Sequence, residues 1–564
     1  MLMNQDDSDW EVAGWKFNVW QLVSVGVVLA AAVVFLVRLG DRSVISEEVR
    51  WAEVAREMRQ SGDYFHPKVN GQTYHDKPVG SYWFIVVSSY LTGGVDETAA
   101  RLPAAIAGIL GVWVVILLGR RLYDRRTAVC AGAILATCFA FAFYARRATA
   151  DVETVTGVLV AIWLFARHLD RPTGSWVVGL WLWMALVSLT KGLLGFALPV
   201  VVFGAYGLTT AWANRAEGWR SILHANRWLL NRWSLLAVPL GLLVYLLPFV
   251  IAALDTGSQV GLEMVWRENI KRFVAPHNHV GPVYLYVGVI FVLAAPWAVF
   301  LPAALLPTSR PSTPGDRLAK VYFWAVFLFF TASASRRSYY LLPVLPGVAL
   351  LTARLLVAQA SELTGLARRW RTVGWWALGV AVVFAGVGLL PPRWFLPADA
   401  QIPPLPARAW LTALWLGCVA TVLVCLLKPN FRRLGVAFAI AFAVFAVGFG
   451  VVYPAADELR TRKEFLLTVR ERTDAEPTKL ALFHASDVVF DLGRITPEFA
   501  DAEELRAAIA AGKTRWIVLP QRLMPMVQLK AAILLEETTT PWDAQEKSGN
   551  KLVLIDTTAE PRHE

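Results

Sequence analysis

Charge is what this sequence has least of: Asp, Glu, Lys and Arg make up 17% of its 564 residues, against about a quarter in soluble domains. With 56% of residues hydrophobic, that shortage excludes a soluble globular enzyme and a disordered chain. Cysteine is scarce too. The four, Cys130, Cys138, Cys418 and Cys425, all fall inside apolar runs, where thiols behave as small hydrophobes. No disulfide framework or cysteine zinc motif is indicated. No nucleic-acid motif occurs, and the leader Asp6, Asp7, Asp9, Glu11 lacks the basic start of a signal peptide.

What the chain has in abundance is apolar runs of about 20 residues, the length a helix needs to cross a hydrocarbon core. Read between charged or proline-rich breaks, they predict thirteen spans: 17–38, 100–118, 127–145, 151–166, 175–190, 192–211, 234–253, 282–306, 318–334, 338–357, 373–390, 408–427 and 434–453. Alternate connections carry the basic residues, from Arg120, Arg121, Arg125 and Arg126 to Lys428, Arg432 and Arg433. Short Lys- and Arg-rich loops stay in the cytoplasm. The expected architecture is therefore an all-α polytopic membrane bundle with a cytoplasmic tail, 1–16, and a membrane domain, 17–457. A long first outer loop spans 39–99, and a small outer domain spans 458–564. The net charge of +11 is then mostly a matter of topology.

In the last segment "KLALFHA", "TRWIVLP" and "KLVLIDT" read as strands and "DAEELRAAIAAG" as a helix, which predicts a compact α/β module. In the first outer loop, "SEEVRWAEVAREM" places Trp51, Val54, Ala55 and Met58 on one helical face. The expected place for such a helix is the outer membrane interface. Ser46 is expected to cap it, and Glu47 and Glu48 fall where carboxylates complement the helix dipole.

The outer loops also hold cations that topology does not call for: Lys77, Arg146, Arg147, Lys191, Arg267, Lys271, Arg272, Arg336 and Arg337. Several stand at the ends of apolar runs, where a charge is costly unless it faces a cavity or partner. Each alone could snorkel to headgroups. Their convergence on one face favours an anionic ligand, and a lipid-borne phosphate suits Arg forks and Lys point charges. Acids recur among them, Glu47, Glu48, Asp76 and Asp151. A pocket for electrostatic capture alone would exclude acids; one for group transfer would keep a base.

The stretch "EEVRWAEVAREMRQSGDYFHPKVNGQTYHDKPVGSYW", followed in order by "YARRATADVETV", "SLTKGLLGFALP" and "SRRSYYLLPVLPG", resembles glycosyltransferase family 39. That family holds the bacterial aminoarabinose (lipid A) transferases and the protein O-mannosyltransferases. The resemblance covers roughly 15–455 and implies a GT-C fold. It implies sugar transfer from a polyprenyl-phosphate donor to a glycolipid or protein acceptor at the outer face of the bacterial inner membrane. The family's acidic pair falls on Glu47 and Glu48, its arginine on Arg50, its donor-phosphate lysine on Lys77, its second loop acid on Asp151 and its tyrosine on Tyr340. Glu47 is a departure, since the family usually has Asp there. Arg146, Arg147, Lys191, Arg336 and Arg337 complete the expected phosphate-binding set. No cofactor is required. Some relatives imply a structural zinc, here held by Asp76 with His277 or His279. The competing readings are a flippase or exporter of lipid-linked intermediates and a non-catalytic lipid-binding relative.

Overall fold

The computed structural model describes residues 9–12, 15–171, 173–213, 220–271, 281–308, 312–387, 408–427, 431–454, 462–528, 532–537 and 551–558. Among them, six helices are long and apolar enough to cross a membrane: Val19–Leu36, Glu97–Leu122, Leu194–Ala213, Arg232–Thr256, Ser338–Val357 and Phe431–Val452. A seventh span is counted if Leu285–Leu293 and Trp297–Leu305, bent by 119°, are taken together. The apolar run 127–145 forms two helices, Arg125–Ala136 and Phe139–Tyr144. At the break, the Thr137 hydroxyl donates to the Ala133 carbonyl at 2.6 Å, a competing bond that bends helices. Asp151–Arg167 and Trp176–Lys191 are shorter. One continuous apolar core joins these helices.

The first loop departs from the interfacial picture. Its helix, Glu47–Ser61, is buried at every residue from Trp51 to Met58, polar ones included. It is enclosed rather than laid on a surface. Val54, Ala55 and Met58 pack with Val79, Tyr82, Ile85 and Val86, and the Trp51 indole donates to Ser81 Oγ at 3.2 Å. Ser46 is not the expected cap: its φ is 57° and its side chain makes no capping bond. The turn before the helix is held instead by Arg101, whose guanidinium donates to the carbonyls of Leu39, Arg42 and Ser43 at 3.1, 2.7 and 2.8 Å. Gly62 ends the helix in the left-handed region, φ 71°. The next helix, Gly80–Thr92, carries the exposed apolar row, with Val87 65% and Leu91 78% exposed.

Between the two helices runs a small hairpin, Lys68–Val69 paired with Gln72–Thr73. Asn70 and Gly71 both have positive φ, 55° and 74°, the pattern that favours Asn-Gly in two-residue turns. Glu57 accepts the Gly71 amide on both carboxylate oxygens at 3.1 Å, fastening hairpin to helix. Residues 480–556 contribute a five-stranded sheet in the order Glu498–Phe499, Leu480–Phe483, Trp516–Pro520, Leu552–Asp556, Ala532–Glu536. The first three strands are mutually parallel and the last two pairings are antiparallel.

Candidate active site

Loop and helix ends converge on a cavity of about 520 Å³. The loop helix supplies Glu47, Arg50 and Trp51, and the irregular chain leaving the hairpin supplies Tyr74, Asp76 and Lys77. Asp151 opens one helix, Lys191 closes the next, and Leu194 begins a third. Glu268 and Asn269 come from the Val260–Lys271 segment, Phe329 and Phe330 from the last turn of the helix Pro314–Ala332, and Arg337, Tyr339 and Tyr340 from the connection that follows it. Four carboxylates, of Glu47, Asp76, Asp151 and Glu268, thus share the wall with four cations, Arg50, Lys77, Lys191 and Arg337. The two phenylalanines give part of the wall an apolar surface.

Three of the four cations are matched with wall carboxylates. Arg337 bonds Glu47, and Tyr339 bridges them, its hydroxyl 2.6 Å from Arg337 Nη1 and 3.4 Å from Glu47 Oε1. Lys191 bonds Asp151, and its ammonium stands 5.0 and 5.7 Å from the ring centres of Tyr339 and Tyr340, a cation–π arrangement. Lys77 donates to Glu268 at 3.1 Å and to the Asp76 carbonyl at 2.9 Å. Arg50 reaches the Tyr74 hydroxyl at 3.4 Å. Burial pushes the Tyr74 phenol up to about 12 against the pull of Arg50, so at neutral pH it keeps a proton to donate.

One close approach shapes the floor. Asn269 Oδ1 accepts from the Leu193 amide at 2.7 Å and would stand 2.4 Å from a Cβ placed on Gly192, whose φ is +85°. Glycine is required there on both counts.

Of the residues the sequence singles out, Glu47, Arg50, Asp76, Lys77, Asp151, Lys191, Arg337 and Tyr340 line the cavity. Glu48 does not. It is 1% exposed and bonds Arg101 at 2.9 and 3.1 Å and the Ala148 amide at 2.9 Å. Burial works to raise its pKa, but Arg101, Arg147 and the amide together hold the carboxyl below the ordinary value. Arg146 turns away as well, donating to the Val34, Phe35 and Val37 carbonyls at 2.9, 3.0 and 2.7 Å, which satisfies the end of the first apolar helix. Arg147 lies 3.9 Å from Glu48, and Arg336 donates to the Gly281 and Thr331 carbonyls. Asp76 pairs with Arg267 at 3.1 Å. Its suggested metal partners, His277 and His279, lie outside the described residues. Among the described residues no group of three or more His, Cys, Asp or Glu could hold a metal.

The sequence does not single out Glu268, Tyr74, Asn269 or Tyr339. Glu268 had one signal, being an acid within the otherwise basic "WRENIKRF".

Residues 76–251 match the family described as dolichyl-phosphate-mannose-protein mannosyltransferase. An undecaprenyl phosphate-alpha-4-amino-4-deoxy-L-arabinose arabinosyl transferase 1 of Pseudomonas fluorescens (strain Pf0-1) is 30% identical over 353 residues, 60% of this chain and 58% of the relative. The corresponding transferase of Pseudomonas aeruginosa (strain LESB58) is 31% identical over 344 residues, 59% of each. The chain thus spans somewhat under two thirds of the length of these relatives. The crystal structure of ArnT from Cupriavidus metallidurans bound to undecaprenyl phosphate superposes with a TM-score of 0.72 at 20% identity, covering 96% of this chain and 98% of that one. The chain has the fold of that ArnT structure, and its sequence resembles the aminoarabinose arabinosyl transferases and, over 76–251, the dolichyl-phosphate-mannose-protein mannosyltransferases.

Proposed function

We propose that the protein transfers a sugar from a polyprenyl-phosphate donor to a lipid or protein acceptor at the outer face of the inner membrane. The observation that carries this reading is the cavity that joins Glu47 with Lys77, Lys191 and Arg337, basic groups from three separate segments. Donor chemistry of the kind named for the Pseudomonas relatives, a 4-amino-4-deoxy-arabinose on undecaprenyl phosphate, fits such a wall. The bundle is taken to have thirteen spans, the shorter helices completing those of full length, with a cytoplasmic N-terminus. The α/β region lies on the same outer side as the cavity. The exposed apolar row of Gly80–Thr92 rests in the outer leaflet.

In this mechanism an acceptor hydroxyl attacks the anomeric carbon. Its O–H bond breaks, with the proton passing to the Glu47 carboxylate, while the bond to the acceptor oxygen forms. The bond from the anomeric carbon to the phosphate oxygen breaks, and the lipid phosphate leaves with the electron pair. Lys77 and Lys191, assisted by the Tyr74 hydroxyl, stabilise that charge, so no acid need protonate it. Arg337 and Tyr339 hold Glu47 in place, and Asp151 orients Lys191. A single displacement inverts the anomeric centre, and one carboxylate suffices where glycosidases use two. The test is transfer of radiolabelled sugar from purified polyprenyl-phosphate donor to membrane lipid or protein. Absence of transfer to either acceptor would refute the assignment and leave a transporter or a non-catalytic binder.

A further inference from the structure

The loop that carries Glu47 and Lys77 is gripped from outside the helical bundle. Asn70, at the tip of its hairpin, makes two bonds to the backbone of one residue 426 positions further on: Asn70 Nδ2 donates to the Thr496 carbonyl at 2.6 Å, and the Thr496 amide donates to Asn70 Oδ1 at 2.8 Å. Both residues are buried. On the other arm of the loop, Arg56 donates to the Phe490 carbonyl at 3.3 Å, and the Phe490 ring packs into the same apolar cluster as Trp51 and Tyr82. The two anchoring points belong to one short stretch, Phe490–Thr496, beside the sheet strand Glu498–Phe499. Glu57 ties the arms to each other through the Gly71 amide.

We infer that Phe490–Thr496 is a positioning clamp: by fixing the loop helix through Arg56 and the hairpin through Asn70, it sets the placement of Glu47 relative to Lys77 across the cavity. This inference rests on the reading of the cavity as a transfer site. The geometry supports it on three points. The hairpin strand Gln72–Thr73 runs directly into Tyr74, Asp76 and Lys77, so a shift of the hairpin moves the cavity wall. Glu47 is the first residue of the helix that Arg56 anchors. Lys191 and Arg337, by contrast, sit on segments of the bundle, where Lys191 is held by Asp151 and Arg337 by Tyr339. A pair of backbone bonds to one side-chain amide also fixes orientation as well as distance, which simple docking of an apolar face does not. Asn70 is accordingly a positioning residue and not a catalytic one.

Asn70→Gly is the clean test, because glycine keeps the left-handed turn that Asn70 adopts and removes only the amide. Asn70→Asp keeps the acceptor for the Thr496 N–H and loses the donor. Hydrogen exchange on the full chain should show faster exchange over 47–61 and 68–77 in Asn70→Gly, with thermal melting confirming that the rest of the protein is folded. Turnover should fall about 10- to 100-fold, the scale of a misplacement of order 1 Å. Binding of undecaprenyl phosphate in detergent should change by less than about threefold, and Asn70→Asp should lie between Asn70→Gly and the native chain. Faster exchange with unchanged turnover overturns the clamp, and so does unchanged exchange. Equal losses in turnover and binding reduce it to a structural contact and overturn it as well. If the native chain transfers no sugar, the transfer reading fails by itself. The clamp is then judged on exchange at Tyr74 to Lys77, faster in Asn70→Gly if it holds and unchanged if it does not.

Discussion

Glu47 and Arg337 stand 290 positions apart and meet as an ion pair on the cavity wall. Tyr339 contacts both, so the carboxylate is fixed in direction by groups from a distant turn. Its neighbour Glu48 points the other way, into Arg101. The two adjacent acids therefore separate by experiment. Glu47→Gln should lower the transfer rate by about 10²- to 10⁴-fold, the range of a lost general base, with the melting temperature nearly unchanged. Glu48→Gln should instead cost roughly 3–5 kcal/mol of stability, as expected when a buried ion pair loses one partner. Turnover per folded molecule and thermal unfolding, measured on both variants, check the assignment; equal effects would contradict it.

Lys77 and Glu268 yield a pair of opposite effects. Lys77→Ala removes a charged donor from a desolvated phosphate and should weaken undecaprenyl phosphate binding by about 1.5–3 kcal/mol. Glu268→Gln leaves Lys77 without its carboxylate partner and should tighten binding of the same ligand. Titration calorimetry on the two variants tests this, and weakened binding in both would show that Glu268 itself contacts the donor.

The loop should also respond to pH. Burial raises the Glu53 carboxyl from an ordinary 4.5 to about 7, with Glu57 adding to the shift and Arg56 opposing it. Folded Glu53 therefore holds its proton where the unfolded residue has lost it. Its contribution to stability is present in full below pH 4.5 and is lost progressively as pH rises to about 7. Protection from hydrogen exchange over 47–61, taken relative to the intrinsic base-catalysed rate at each pH, should fall between pH 5 and 7.5 in the native chain, and Glu53→Gln should flatten that fall.

A topology reporter placed after Glu564 should read as extracytoplasmic and one at Arg171 as cytoplasmic. The reverse result at either point would remove the proposed location of the cavity.

Much of the helical framework was legible because a hydrocarbon core imposes run length and loop charge on a sequence. The loop helix was legible as a helix, but its setting was not. Apolar spacing at Trp51, Val54, Ala55 and Met58 reveals one packed face, whereas Glu53, Arg56 and Glu57 are buried by distant chain, Arg56 against Phe490 and Glu57 against the hairpin at Gly71. In the site, the local sequence cannot decide between neighbours such as Glu47 and Glu48. Consecutive helical residues differ by about 100° in direction, and the partner that claims Glu48 is Arg101, 53 positions away. Arg146 resembled a ligand-facing cation for the same reason, although helix-end carbonyls take its donors. Glu268 stood out only as an acid among basic neighbours, because the partner that draws it to the wall, Lys77, lies 191 positions away.

The even balance of acids and cations on the cavity wall bears on how a ligand arrives. Steering from solution depends on an unbalanced field, which salt screens beyond about 8 Å at physiological ionic strength. A wall with four charges of each sign exerts little such pull. Donor capture should thus be almost insensitive to ionic strength and governed by lateral diffusion within the leaflet. Entry then becomes an exchange of partners, in which a phosphate displaces a carboxylate such as Glu268 from Lys77. A neutral polyprenol has no charge to offer in that exchange, so it should leave the pairs closed however well its chain fits the apolar wall.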